Sequence, residues 1–510
     1  MIQKHAIAMM LAAMPAGLCV ADDIGYVELV ARLGAATPDG AGVGVAHCEA
    51  PDGSGFYGPD QTNNDFSGVV FTAYSGTPGV SGHATFVGQN LYGGAAMADG
   101  VTQVGLYEAN AFLQGGYLRT AQGGTVLPLP TPAGIKVFNH SWIGSSGTPS
   151  WDAEALRRAD YAMNRDDTLF FVGLNNAPGA VPALMSTGFH GLSVGRMDGV
   201  HSYGNTIAGI DGPGRMKPEI VAPGSATSWA TPVVTAAGAL LYQTAATWPG
   251  LSLNPVADEA VVIKAALMAG AWHRPAWTNN APTSGTLRGV TTRPLDTIYG
   301  ADVVNIDRAH WILTGLEQAA STTVPAASTI NEAGWDYQDV AGNGVYYWRF
   351  RLAATADEVS ILATWNRTIT SVQTATLPAA IDLRLYRASA GTLIALDGDA
   401  GAGYYTSGSV WSKSTVDNVE HLYVRGLVPG EYVIEAKRTG TGTAAPFAIA
   451  WLMPDQPNAI PGDLNNDGTV SGTDLAILLG MWGTNNAIGD LDGDGLVSGG
   501  DLAILLSNWV

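Results

Sequence analysis

Short apolar segments alternate with helix-like segments over the first three fifths of the chain, and this alternation constrains the fold most. Between about residues 22 and 320, apolar runs such as VGVAHC, IKVFNHSW and LFFVGL are separated by stretches such as WDAEALRRADYAMN. Strands spaced by helices predict a mostly parallel sheet that is covered on both faces. We therefore expect an α/β domain over residues 22–325.

The pattern changes to a period of two after about residue 330. Runs such as YYWRFRL, VSILATW and IDLRLYR alternate apolar and polar side chains and are separated by turn residues. This alternation predicts an antiparallel β-sandwich over residues 330–453. It would either bind substrate or matrix, or act as a spacer that shields the first domain. The proline-containing residues 454–461 predict a short stiff linker to the tail.

The N-terminal segment is typical of a secretory signal peptide. MIQKHAIAMMLAAMPAGLCVADD carries one lysine, then an apolar stretch, then small residues before an Asp pair. We place cleavage after Ala21, so residues 1–21 are the expected signal peptide; a buried N-terminal helix is the alternative. Cleavage leaves Cys48 as the one cysteine, which excludes an internal disulfide. We expect the mature chain to be secreted, and to be extracellular or cell-surface associated.

The charge balance excludes two classes of partner. With 24 basic and 44 acidic residues, the formal net charge is −20. Nucleic acids and anionic membranes both need a positive protein surface, so we expect neither as a partner. Outside the N-terminus there is no apolar run of about 18 residues, so we expect no transmembrane segment.

The tail contains a tight internal repeat. DLNNDGTVSGTDLAILLGMW, which starts at Asp463, is followed 27 residues later by DLDGDGLVSGGDLAILLSNW, which starts at Asp490. Each copy has oxygen-bearing side chains at loop positions 1, 3, 5 and 12, a glycine at position 6 and a backbone carbonyl at position 7. The expected ligands are Asp463, Asn465, Asp467, Thr469 and Asp474 in the first loop, and Asp490, Asp492, Asp494, Leu496 and Asp501 in the second.

This ligand pattern predicts two bound Ca²⁺ ions. Calcium takes six to eight oxygens, and glycine at position 6 permits the sharp turn of the loop. An acidic turn that stays solvated is the alternative. The duplicated loops and the helices that follow them resemble a dockerin over residues 462–510. That resemblance implies a small α-helical domain that folds around two calcium ions and binds a cohesin-type partner.

A serine followed by a long helix is the first feature that indicates catalysis. In IVAPGSATSWATPVVTAAGALL, Ser228 would lie at a helix N-terminus, where free amides and the helix dipole favour negative charge. A helix cap is the structural alternative for such a serine. The run resembles the nucleophile motif of the subtilisin family, with TSWATP where that family has Thr-Ser-Met-Ala-Thr-Pro.

Three further segments resemble motifs of the same family. SGHATFVG resembles the segment that carries the general base, which implies that His83 takes this role. LFFVGLNNAPGA resembles the strand end that carries the oxyanion-hole asparagine; we align Asn175 with it and keep Asn176 as the adjacent alternative. NHSWIG resembles the wall of the main substrate pocket. The implied substrate contacts are Ser141, Trp142 and Gly144, with Trp142 in the core as the alternative.

The carboxylate of the expected triad is the member that departs from the family. The first strand reads VGVAHCEAPDG, which places Glu49 where the family has Asp. Glutamate can orient a histidine in Ser-His-Glu triads. Asp52, three residues later, is the second choice, and loss of the acid is the third. A metal site at residues 47–49 is not expected, because consecutive strand residues point to opposite faces.

These motifs predict a serine endopeptidase that forms an acyl-enzyme. Ser228 is the expected nucleophile, His83 the base, Glu49 the orienting acid and Asn175 the oxyanion donor, acting on a protein or peptide substrate. The rival hypothesis is a catalytically weak or inactive subtilase fold that serves as an extracellular binding or scaffold protein.

Overall fold

The computed structural model describes most of the chain. The described residues are 24–369, 380–389, 391–441, 444–453, 462, 464, 470–486, 489–492 and 495–509. The expected signal peptide, the linker and parts of both expected calcium loops lie outside them. Within the described part, no helix has the length and apolar character that a membrane crossing requires.

The helices and strands of the described residues follow in chain order. The helices are α1 (Tyr26–Leu33), α2 (Gly82–Leu91), α3 (Ala109–Ala111), α4 (Pro149–Asp166), α5 (Thr227–Thr247), α6 (Ala260–Ala269), α7 (Ile306–Thr314), α8 (Gly472–Gly480) and α9 (Gly499–Ser507). The strands of the N-terminal part are β1 (Gly44–Glu49), β2 (Val70–Ala73), β3 (Gln103–Glu108), β4 (Ile135–His140), β5 (Leu169–Gly173), β6 (Leu192–Arg196), β7 (Gly204–Asn205), β8 (Met216–Lys217), β9 (Ile220–Ala222) and β10 (Val290–Thr291). Those of the C-terminal part are β11 (Ala333–Val340), β12 (Val345–Leu352), β13 (Ala356–Trp365), β14 (Ala380–Ser389), β15 (Thr392–Ala395), β16 (Ser407–Gly408), β17 (Trp411–Ser412), β18 (Val419–Leu427), β19 (Gly430–Thr439) and β20 (Ala445–Leu452).

A seven-stranded parallel sheet forms the centre of the N-terminal part. Its strand order is β2-β3-β1-β4-β5-β6-β9, and every neighbouring pair is parallel. All residues of β1 and β5 are buried, as expected for strands with helices on both faces. The predicted α/β domain with a mostly parallel sheet is confirmed. The carboxyl end of β1, near the middle of this sheet, carries Glu49.

Helix α5 packs against β4, β5 and β6. It is apolar around almost its whole circumference and most of its residues are buried, which is typical of a central helix. The chain enters it through Gly224, whose φ of +155° favours glycine. A Cβ atom there would lie 2.9 Å from the amide nitrogen of Ala230, so this turn has no room for a side chain.

Two antiparallel sheets make up residues 333–452, which confirms the predicted antiparallel strands. One sheet has the order β11-β20-β13-β18-β16; the other has the order β10-β17-β14-β19-β12 with β15 on β14. Both contribute to one apolar core, which includes Trp348, Ile361 and Leu383. We refer to residues 333–452 as the C-terminal sheets.

The C-terminal sheets are continuous with the parallel-sheet domain. Strand β10, from the N-terminal part, pairs in parallel with β17. Trp335, Leu362 and Ala450 belong to the same core cluster as the apolar side chains of the parallel sheet. The Ser360 hydroxyl donates to the carbonyl of Ala269 at 2.8 Å. The two parts therefore share buried surface.

A buried ion pair crosses this shared surface. Arg367 Nε donates to Asp160 at 2.8 Å, with side chains 1% and 0% exposed, and Arg367 Nη1 donates to Asp211 at 2.8 Å. The Arg367 amide donates to His190 Nε2 at 2.9 Å. A buried carboxylate that loses its cation is left uncompensated, which is costly.

In the tail, α8 and α9 enclose a small core. Its buried members are Val470, Leu478, Val497 and Leu505, two from each repeat at equivalent positions. Each repeat thus contains one of the two helices.

We expect Arg367→Met to lower the free energy of unfolding by about 3–5 kcal/mol, because Asp160 would stay buried without its cation. Urea denaturation of the full chain, followed by tryptophan fluorescence, measures this change. Arg351→Met is the matched control, because that side chain is 72% exposed and its ion pair is 3.9 Å long; we expect at most about 1 kcal/mol. Equal losses in the two variants would show that the ion pair does not join the two parts.

Candidate active site

An acid–base pair lies at the carboxyl end of β1. Glu49 is the last residue of this strand, and its side chain is 1% exposed. Helix α2 begins at Gly82 with Ser81 as its cap, which places His83 in the first helical turn. The His83 Nδ1 to Glu49 Oε2 distance is 2.7 Å. This arrangement leaves Nε2 of His83 as the nitrogen that can act as a base.

Asp52 lies elsewhere. Its side chain is exposed, and Oδ1 accepts hydrogen bonds from the amides of Ser54 at 2.8 Å and Phe56 at 3.0 Å. These bonds close a surface turn. Glu49, the acid that the sequence favours, therefore contacts His83, whereas Asp52 lies in a surface loop.

The expected nucleophile begins helix α5. Ser228 is the second residue of this helix, and its hydroxyl donates to the carbonyl of Ser141 at a long 3.4 Å. Among the described residues, no hydrogen bond joins Ser228 Oγ to His83. Trp229, the residue after Ser228, instead contacts helix α2. Its ring centroid lies 5.1 Å from that of His83 and 4.3 Å from that of Phe86.

Pro232 explains how the helix start is held in place. Proline has no amide hydrogen, so the carbonyl of Ser228, four residues earlier, loses its helical donor. The hydroxyl of Ser141 replaces that donor at 3.1 Å, and Asn139 Nδ2 in turn donates to Ser141 Oγ at 2.9 Å. The end of β4 and the start of α5 are therefore fixed to each other at the nucleophile.

The two adjacent asparagines have different environments. Asn176 Oδ1 accepts from the amide of Thr227 at 2.7 Å and from its hydroxyl at 3.0 Å. This places the Asn176 amide group next to the residue that precedes Ser228, with its Nδ2 group still able to donate. Asn175 is held through its backbone, which bonds Ser202 at 2.9 and 3.1 Å. Asn176, the adjacent alternative, is thus the asparagine that the structure brings to the site, and it replaces Asn175 as our candidate.

The three residues expected to form the wall of the substrate pocket have different environments. Ser141 contacts the nucleophile, as described. Trp142 is buried beside His140 in the core, which was the alternative to its being a substrate contact. The carbonyl of Gly144 accepts from the amide of Leu184 at 3.0 Å. Leu184 also lines a cavity of about 240 Å³ with Leu113, Gln114, Ala121, Ser146, Thr148 and Trp151. The wall segment therefore contacts one residue of this cavity, Leu184, and does not itself line it.

The pKa values of the acid and the base move apart. Burial acts to raise the pKa of Glu49, but the charge of His83 and the hydrogen bonds from His47 and His83 hold it below its ordinary value. Burial acts to lower the pKa of His83, but the charge and hydrogen bond of Glu49 raise it above its ordinary value. The buried carboxylate is therefore ionised near neutral pH, where it stabilises a proton on His83.

Sequence reasoning missed His47 and Trp229 as members of the site. His47 Nε2 lies 3.1 Å from Glu49 Oε1, on the side of the carboxylate opposite His83. The signal was available, because residues two apart on a strand share a face. Trp229 stands where the family motif has methionine, and its ring contact with His83 is visible only in three dimensions.

The second expected calcium loop is partly described. Carboxylate oxygens of Asp490, Asp492 and Asp501 lie within 4.8 Å of one another. Asp501 is buried, and its Oδ2 accepts from the amide of Ser498 at 2.6 Å. In the first loop, Asp474 Oδ2 accepts from the equivalent Ser471 at 2.9 Å. Asp463, Asn465, Asp467, Thr469 and Asp494 lie outside the described residues.

A buried acid–base pair beside a serine at a helix start, on a parallel sheet, is the arrangement of a serine hydrolase. Residues 49–300 match the subtilase family (Peptidase_S8), a family of serine proteases. This part of the chain is therefore a subtilase-family domain. The match begins at Glu49 and includes His83, Asn176 and Ser228. A comparison with curated proteins finds no match.

Solved structures with some likeness include two maturation proteases. The prenylagaramide maturation protease PagA is 17% identical, and the alignment covers 56% of this chain and 98% of that one with a TM-score of 0.37. For the patellamide maturation protease PatA the values are 17%, 55%, 98% and 0.36.

We expect Asn176→Ala to lower kcat on a peptide substrate by about 10²–10³-fold, because an oxyanion donor would be lost. Asn175→Ala is the matched control, because the contacts of Asn175 are made by its backbone; we expect a change of less than about threefold. Steady-state kinetics of the two variants measure the difference. If Asn175→Ala showed the larger loss, the original alignment would stand.

Proposed function

We propose that this chain is a secreted serine endopeptidase that hydrolyses peptide bonds through an acyl-enzyme. The buried 2.7 Å contact between Glu49 and His83, beside the helix start that carries Ser228, is the observation that carries the proposal. A buried carboxylate paired with a half-exposed histidine is the arrangement that a general base needs.

The geometry supports the following roles. His83 Nε2 takes the proton of Ser228, whose hydroxyl leaves its weak bond to Ser141 and turns toward the base. The oxygen of Ser228 attacks the substrate carbonyl, and Glu49 stabilises the imidazolium that results. The Ser228 amide and Asn176 Nδ2 then donate to the oxyanion, since amides in the first turn of a helix have no helical acceptor. The C–N bond then breaks as His83 gives the proton to the leaving amine, which leaves an acyl ester on Ser228. A water molecule that loses its proton to His83 attacks this ester, and the acid is released as the proton returns to Ser228.

A second proposal concerns the tail, which we assign as a dockerin-like calcium module. Its fit to calcium is supported by Asp490 Oδ1, a buried carboxylate oxygen without a hydrogen-bond partner in the described part of the chain, and by the neighbouring Asp492 and Asp501. Asp490, Asp492, Asp494, Leu496 and Asp501 would hold one ion. Asp463, Asn465, Asp467, Thr469 and Asp474 would hold the other. Bound calcium would neutralise the carboxylates and fix each loop against its helix.

Exposed apolar side chains on the tail helices and just after them also support a partner surface. Leu479, Trp482, Leu506 and Trp509 are between 43% and 52% exposed. Large apolar side chains that stay exposed on a small domain favour a protein partner. We propose that this partner is cohesin-like. With the signal peptide, this implies an extracellular or surface-tethered enzyme.

We expect a fluorophosphonate probe to label the wild-type chain but not Ser228→Ala, because the probe reacts with an activated serine. Glu49→Ala should lower kcat/KM by about 10⁴-fold, since the base loses its orienting acid. Asp52→Ala, the matched surface carboxylate, should change it less than twofold. An unlabelled wild type would favour the rival hypothesis of an inactive binding or scaffold fold.

We expect Asp463→Ala and Asp490→Ala each to bind one calcium ion fewer than the starting chain, because each removes the first ligand of one loop. Equilibrium dialysis of the full chain, with Ser228→Ala to prevent self-digestion, measures the stoichiometry. Asp52→Ala in the same background is the control and should bind as many ions as the starting chain. Unchanged stoichiometry in both loop variants would refute the calcium assignment.

A further inference from the structure

A chain of hydrogen bonds runs behind the acid of the active site. Tyr92 Oη lies 2.7 Å from His47 Nδ1, and His47 Nε2 lies 3.1 Å from Glu49 Oε1. The other oxygen, Oε2, contacts His83 at 2.7 Å. His47 and Glu49 are each 1% exposed, so both side chains are shielded from bulk solvent. The carboxylate is therefore held from two sides by two histidines.

When His47 is neutral, the protons of these hydrogen bonds have one consistent arrangement. The ionised carboxylate of Glu49 accepts hydrogen bonds and donates none, so His47 must donate from Nε2. In a neutral imidazole Nδ1 then accepts, and Tyr92 is its donor. Burial, with the charge of Glu49 adding to it, raises the pKa of Tyr92 well above its ordinary value, so the hydroxyl keeps its proton. Tyr92 therefore selects the tautomer of His47 that bonds Glu49.

We propose that His47 is a positioning residue of this active site, which holds the Glu49 carboxylate in the orientation that His83 needs. The inference rests on the proposed function. Glutamate has one more rotatable bond than aspartate, so a carboxylate on this longer side chain needs a second anchor to stay aligned with the base. His47 supplies this anchor, because residues two apart on β1 point to the same face.

The local sequence is adapted to this chain of bonds. Tyr92 follows the last residue of α2, one turn after Gly88. A Cβ atom on Gly88 would lie 2.7 Å from Tyr92 Oη, so glycine makes room for the hydroxyl. The Tyr92 ring packs against Phe66 and Phe71 at centroid distances of 5.4 and 6.0 Å. The tyrosine is thus fixed on both its apolar and its polar side.

The groups that face Glu49 define its electrostatic surroundings. They are His47 on its own strand, His83 of α2 with Tyr92 immediately after it, His140 on the neighbouring β4, and Glu108, the in-register neighbour of Glu49 on β3. Cys48 precedes Glu49 on the opposite face of β1, and its thiol still senses the charge of Glu49. Burial raises the pKa of Cys48 well above its ordinary value and lowers that of His140 to about 3, so both stay neutral. His47 and His83 are therefore the two imidazoles in direct contact with the Glu49 carboxylate.

The direction of the pH effect follows from this arrangement. A donor to Glu49 stabilises the unprotonated Glu49–His83 pair, which carries a net charge of −1, more than the protonated pair, which is neutral. Loss of the donor therefore raises the apparent pKa of the pair. The acid limb of kcat/KM, which reports that pKa, should move to higher pH.

The test compares His47→Leu, which removes both nitrogens, with His47→Gln, whose amide can donate to Glu49 and accept from Tyr92. We expect His47→Leu to lower kcat by about 10- to 100-fold with KM changed less than twofold, and to move the acid limb up by about one pH unit. His47→Gln should recover most of the loss. Val45→Ala, a buried apolar position on the same face of β1, should lower stability and leave kcat and the acid limb unchanged.

A second measurement does not depend on activity. In the full chain with Ser228→Ala, NMR of ¹³C-labelled histidine follows the titration of His83, and we expect a higher apparent pKa with His47→Leu or with the milder Tyr92→Phe. An unchanged titration and an unchanged kcat would overturn the positioning role. A wild type that hydrolyses no peptide would instead overturn the proposed function, while the titration would still test His47.

Discussion

A single buried carboxylate determines how the site of this protein is built. Glu49 ends β1, an inner strand of the parallel sheet, where it is almost fully removed from water. An ionised group in such a place is stable only when other groups replace its hydration. His83 and His47 do so, one on each oxygen. Helix α2 contributes to both contacts, because His83 lies in its first turn and Tyr92, which contacts His47, follows its last residue.

The nucleophile side of the site depends on a missing hydrogen bond. Pro232 deprives the Ser228 carbonyl of its helical donor, and the structure uses that free acceptor to bind the end of β4 through Ser141. The helix start is thereby fixed against the strand that borders the substrate, while the Ser228 hydroxyl keeps only a weak contact. A proline inside a helix, which ordinarily destabilises it, here gives the reactive serine a rigid support and a free side chain.

Much of the fold was predictable because it depends on local periodicity. The spacing of apolar runs predicts the parallel sheet, and the alternation after residue 330 predicts the antiparallel sheets. Of the site, the motifs predict Glu49, His83 and Ser228 as acid, base and nucleophile; the Glu49 and His83 side chains lie 2.7 Å apart, and Trp229, the residue after Ser228, contacts the His83 ring. The choice between Asn175 and Asn176 could not be made from sequence, since it depends on which side chain reaches Thr227. The same holds for Trp229 and for the cavity beside Leu184, which form only when distant segments pack.

The shared surface with the C-terminal sheets bears on how the catalytic part is stabilised. No disulfide is available to a chain whose one cysteine beyond the expected signal peptide is buried. Trp335, Leu362 and Ala450 instead extend the core of the parallel sheet, and β17 pairs with β10. Core burial and the Arg367–Asp160 ion pair thus stabilise this fold, a role that disulfides have in many secreted proteins. On this argument the C-terminal sheets are a structural part of the enzyme, and the spacer alternative describes them incompletely, because a spacer would not share a core with the domain it separates.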